Sequence, residues 1–88
     1  MSARAFQLIL TLPPDARFAV TAREVAVMAA ARTGCGDESA QEFGRHVEGA
    51  VRRGLARGRG GQPLPVTVQC TGGPVEVLVD GQTLALQV

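Results

Sequence analysis

The chain has 88 residues, a formal net charge of +1 and only three aromatics, Phe6, Phe18 and Phe43. A chain of this length makes one domain, buries only about 60–65% of its unfolded surface, and leaves Val, Leu and Ala to fill the core. The near-neutral charge excludes a global pull towards nucleic acid or anionic membrane. Two cysteines, Cys35 and Cys70, exclude a disulfide framework, and with His46 as the only histidine a zinc site would need a carboxylate or a second chain. Neither a metal nor a cofactor is expected.

The stretch Met1 to Leu12 has Arg4 followed by apolar residues, but Gln7 and Thr11 interrupt it and no small-residue cleavage site follows. A signal peptide or membrane span is therefore not expected, and the expected location is cytoplasmic. Phe6, Leu8, Leu10 and Leu12 alternate with Gln7, Ile9 and Thr11, the period of a strand with one face buried. Pro13-Pro14 ends it. From about Ala16 to Arg32 the run is rich in Ala and free of Gly and Pro, which predicts a helix stopped by Gly34. Phe18, Ala22, Val25 and Ala29 share one stripe of that helix, and Val20 and Val27 fall nearly opposite, between Arg23 and Glu24.

A second helix is expected from Asp37 or Ser39 as cap, with Ser39 and Glu42 in capping-box spacing, to about Arg57. Its apolar face comprises Ala40, Phe43, Val47, Ala50, Val51 and Leu55. Gly44, Gly49 and Gly54 inside it each cost on the order of 1 kcal/mol relative to Ala unless backbones pass close to them. Gly44 and Gly54 lie beside the apolar stripe, where such contact is possible, and Gly49 does not. After a Gly-rich connector from Arg57 to Pro65 the period returns to two: Val66, Val68 and Cys70, then Val75, Val77 and Val79, then Leu84, Leu86 and Val88. Thr71-Gly72-Gly73-Pro74 and Asp80-Gly81-Gln82 suit short turns, so the three strands should form an antiparallel meander. The expected fold is α+β, a two-layer sandwich in the order β-α-α-β-β-β, with both helices on one face of a four-stranded, mainly antiparallel sheet.

The order of elements and the wording of the first half resemble the ATP-binding domain of the anti-sigma-factor serine kinases, the RsbW/SpoIIAB type of the GHKL (Bergerat-fold) group. The resemblance lies in Leu12-Pro13-Pro14-Asp15-Ala16-Arg17-Phe18 leading into a helix with Ala22-Arg23, in Gly34 before an acidic-capped second helix, and in Val47-Glu48-Gly49-Ala50. It spans nearly the whole chain but only the front part of the family domain, whose lid and third helix have no counterpart. The family's second helix supplies a Glu that activates water or the substrate hydroxyl and, four residues later, an Asn that helps hold Mg²⁺. Those positions read Gly49 and Arg53, and Asp80-Gly81-Gln82-Thr83 lacks the spacing of the family's Asp-x-Gly-x-Gly motif. A glycine accepts no proton and an arginine repels Mg²⁺, so the resemblance implies the fold without the kinase.

No other residues assemble a reaction centre. His46 has Glu42 four residues before it and no nucleophile placed on the same face. The expected function is a non-catalytic protein-binding or regulatory module of bacterial anti-sigma type that self-associates. Its interface is expected at Val20, Arg23, Glu24 and Val27, because a second apolar face on a surface helix calls for a covering chain. In the resembled family the first helix and first strand contribute to dimerisation and to sigma-factor contact. The alternative is a nucleic-acid or ribosome-associated protein using Arg52, Arg53, Arg57 and Arg59 to track phosphates, although no aromatic lies near them for base stacking. A solvated helix end, where arginines complement the negative terminus of the dipole, is the favoured account of them.

Overall fold

A computed structural model of the chain describes residues 6–57, 61–70 and 74–86. Strand β1 (Phe6–Leu12) is followed by helices α1 (Phe18–Ala31) and α2 (Asp37–Ala56), then by strands β2 (Leu64–Cys70), β3 (Glu76–Val79) and β4 (Gln82–Ala85). The sheet is antiparallel throughout, in the order β1-β2-β3-β4, so β1 and β4 are its edges. The fold is the α+β sandwich that the alternating strands and two helices predict. β1 and β2 are far apart in sequence, yet they pair over their full length from Phe6–Cys70 to Leu12–Leu64 without a bulge. The intervening helices pack against each other and return the chain to the side of β1.

Only one face of the sheet is buried. Leu12, Leu64, Val66, Val68, Cys70, Val77 and Val79 point into the core, while Thr11, Leu78 and Thr83 on the other face are exposed. Each fully buried Val contributes roughly 1.5–3 kcal/mol by leaving water, and the β-branched side chains suit the pleated surface. α2 adds Ala40, Phe43, Val47, Ala50 and Val51 to this core. Leu55, expected with them, is half-buried because it lies near the end of the helix.

Two helix details differ from the sequence-based expectation. The buried residues of α1 are Ala19, Ala22, Ala26, Ala29 and Ala30, whereas Phe18 and Val25 are only half-buried. Small side chains let α1 lie close to both the sheet and α2, which turns the stripe towards alanines and leaves the larger residues at its margins. α2 begins at Asp37 after Gly36, with no side-chain cap, so Ser39 lies inside the helix and forms no capping box. Asp37 and Glu38 instead place negative charge in the first turn, where the helix dipole favours it.

The glycines of α2 divide as their positions suggest. Gly44 and Gly54 are buried and Gly49 is half-buried. A Cβ at Gly44 would stand 2.5 Å from Val27 Cγ2 and 3.2 Å from the Arg23 carbonyl oxygen, so this glycine is the contact point between the helices. In the last hairpin Asp80 and Gly81 take φ of 48° and 80°, the positive pair of a two-residue turn whose twist matches the strands. The expected turn at Thr71-Gly72-Gly73, and Val88, lie outside the described residues.

Candidate functional site

The positions where the resemblance would put chemistry lie on α2. The nearest group to a Cβ built at Gly49 is the Arg53 guanidinium, with Nη1 at 3.4 Å, so this part of the helix offers a cation and bare backbone. The neighbouring carboxylate, Glu48, is engaged elsewhere: Arg52 donates to it at 2.7 Å and Arg23, from α1, at 3.1 Å. The hydrogen bond from Arg52 holds the Glu48 carboxyl below its ordinary value; partial burial opposes this, and the charges of Arg23 and Arg52 add to the lowering. A carboxylate held ionised in this way is a poor proton acceptor and ties α1 to α2.

His46 lines a surface recess of about 170 Å³ with Ser39, Glu42, Phe43, Ala85 and Leu86. The expectation that no nucleophile shares its face needs correction. Helix spacing brings Ser39 and Glu42 into the same recess, because starting α2 at Asp37 makes Ser39 part of the helical face. Among the described residues, however, His46 makes no ion pair with Glu42 and no hydrogen bond to Ser39. Among the described residues the Ser39 hydroxyl is hydrogen-bonded to no base, the pairing by which a serine is activated as a nucleophile.

The basic segment is partly self-neutralised. Arg52 is held by Glu48, and Arg57 pairs with Asp80 of the β3–β4 turn at 2.7 Å. Arg53 makes no ion pair among the described residues, and Arg59 lies outside them. Two of the four arginines expected to track phosphates are therefore engaged by carboxylates, and one of them, Arg57, ties the end of α2 to the last hairpin.

The four residues expected at an interface on α1 are spread over different surroundings. Val27 packs on Gly44, Arg23 reaches Glu48, and Val20 is half-buried; Glu24 is exposed. Arg23, Glu24 and Val27 do share a groove with Met28 and Gln41, between the helices. Because α2 of the same chain packs over Val27, Val20 and Val27 do not form a second open apolar face on α1.

The uncovered apolar surface is one turn and one strand away. Met28, Leu8 and Ile9 are 62%, 45% and 64% exposed, and only Leu78 joins them as a large exposed apolar residue among those described. Leu8 points to the helix side of the sheet with Phe6 and Leu10, but β1 is an edge strand and α1 does not cover it. Between β1 and α1 runs a groove of about 440 Å³ lined by Phe6, Leu8, Val25, Met28, Ala29 and Arg32, among others. Met28 forms the ridge between this groove and the one beside α2. The sequence carried one signal of this surface, Ile9 on a face otherwise shared by Gln7 and Thr11. No signal marked Met28, whose exposure depends on how α1 is rotated.

Among the described residues no helix is long and apolar enough to cross a membrane. No family model, no curated protein and no solved structure matches the chain.

Proposed function

We propose that this chain is a non-catalytic protein-binding module that self-associates, a regulatory domain resembling the front part of an anti-sigma-factor domain. The observation that carries this reading is an open sheet edge with exposed apolar side chains on both faces, Leu8 sharing a groove with Met28 on the helix side and Ile9 on the outer side. Exposed apolar side chains are ordinary when scattered singly, whereas grouped ones beside unpaired strand backbone mark a surface built for another chain. Gly49 and Arg53, in place of the Glu and Asn of the resembled kinases, support the non-catalytic reading. The ion pairs of Arg52 and Arg57 weigh against the nucleic-acid alternative.

The test is light scattering of the purified chain together with co-purification from its native host, each on wild type and on Met28→Asp. Association with itself or with an identified regulatory protein, lost on Met28→Asp at unchanged far-ultraviolet dichroism, is the expected result. Salt-dependent RNA or DNA binding with no protein association would move the function to the basic segment and overturn the reading.

A further inference from the structure

Among the described residues the β1 edge is the least protected part of the fold. Its seven residues, Phe6–Leu12, include no charge, no proline and no bulge, the usual devices that stop one sheet edge from pairing with another. Large apolar side chains stand on both of its faces, Leu8 towards the helices and Ile9 away from them. β4, the other edge, has four residues and no large exposed apolar side chain.

From this edge we propose, building on the protein-binding reading, that the partner is a second copy of the chain. The two β1 strands pair antiparallel, with Ile9 on the two-fold axis, to make one continuous eight-stranded sheet. Three features of the structure select this arrangement. First, a two-fold axis perpendicular to the sheet keeps both helix layers on one side, so the Leu8–Met28 grooves of the two copies meet and cover each other. Second, residues directly opposite in an antiparallel pair lie on the same face, so even-numbered residues must face even-numbered ones. The register that overlaps all of Phe6–Leu12 then sets Ile9 against Ile9, Leu8 against Leu10, Gln7 against Thr11 and Phe6 against Leu12. A slip of two residues leaves part of Phe6–Leu12 without a counterpart in the same stretch, and Pro13 bars extension past Leu12. Third, like meets like in every one of these pairs and no charge meets a charge, so the strand is complementary to itself. On the outer face Ile9 is opposite Thr67 and Thr67 opposite Leu78, so the two copies bring their Ile9 side chains together at the axis, with Thr67 between each Ile9 and Leu78.

Cysteine cross-linking reads both the partner and the register. In a Cys35→Ser background, which leaves Cys70 buried in the core, directly opposed residues have Cα atoms about 4.5–5.5 Å apart, within disulfide reach. Ile9→Cys should give a covalent dimer on mild oxidation. Leu8→Cys and Leu10→Cys should each stay largely uncross-linked alone and give the dimer when mixed. Sedimentation of the wild type should show a dimer, and Ile9→Asp should halve the mass. The cysteine variants keep the test informative if Ile9→Asp fails to fold. A wild type that remains monomeric at high concentration, or a dimer in which Leu8→Cys cross-links to itself as readily as Ile9→Cys, overturns the proposal. Host co-purification with Met28→Asp answers separately whether the surface binds a different protein, so the self-pairing can fail while the protein-binding reading stands.

Discussion

A Cβ at Gly44 would press on a β-branched side chain, Val27, and on the backbone oxygen of Arg23, and neither can move without shifting a helix. Gly44→Ala should therefore destabilise the fold by about 1–3 kcal/mol despite its better helix propensity. Gly49→Ala meets only the end of a flexible arginine, and should stabilise by about 0.5–1 kcal/mol. Urea midpoints of the two variants check this, and midpoints shifted the same way would show that Gly44 does not set the helix spacing. Glu48 is the residue through which pH should act. Its folded carboxyl is held below the ordinary value by Arg52, with help from Arg23, so its ion pairs contribute stability above the ordinary glutamate range. That contribution is lost as pH falls through the lowered folded value. Asp15 is lowered too, mainly by the backbone N–H of Arg17, and acts in the same direction, so the measurement must isolate Glu48. Wild type should exceed Glu48→Gln in urea midpoint at neutral pH, and the gap should close in acid.

At the scale of the element, the two helices carry their aromatic residues differently. Phe43 lies on the core face of α2 and is 5% exposed, while Phe18, in the first turn of α1, is half-buried with the Arg17 guanidinium 5.9 Å from its ring centre. Phe43→Ala should cost about 3–5 kcal/mol, a large share of what so small a domain has. Phe18→Ala should cost clearly less, because water already reaches part of the ring. The sequence alone puts the two on an equal footing, since each falls on the apolar stripe of its helix. Equal losses of thermal stability in the two variants would mean that α1 is seated more deeply than its burial indicates.

For the whole molecule, the arrangement of charges matters more than their sum. Arg52 of α2 is joined to Glu48 on the same helix, and Arg57, just past the end of α2, to Asp80 on the last hairpin, which fastens the helix layer to the sheet at its far end. Exposed pairs of this kind contribute little energy but fix where the cations point. In the proposed relation to the anti-sigma-factor kinases, Gly49 and Arg53 stand where the family's nucleotide metal and water need carboxylate and amide. Calorimetry with Mg²⁺-ATP should therefore show no binding, and a micromolar affinity would contradict the non-catalytic proposal.

The sheet was legible in the sequence because its cause is local. Alternation of Val66, Val68 and Cys70, and of Val75, Val77 and Val79, can be satisfied only by a strand with one wet face, and Asp80-Gly81 by itself favours the tight hairpin. α2 was legible for the same reason, its large side chains falling on a single stripe. α1 was legible as a helix but not in its rotation. Alanine at positions 19, 22, 26, 29, 30 and 31 makes several faces equally able to be buried, and the choice fell to the close approach at Gly44. That rotation placed Val27 against α2 and Met28 in the open. Strand order was likewise a tertiary decision. Alternation says that Leu8 faces the core side, but only the position of β1 at an edge, beyond the reach of α1, leaves Leu8 exposed beside Ile9. Periodicity records which face of an element is apolar, whereas the exposure of that face depends on what the rest of the chain has left to cover it.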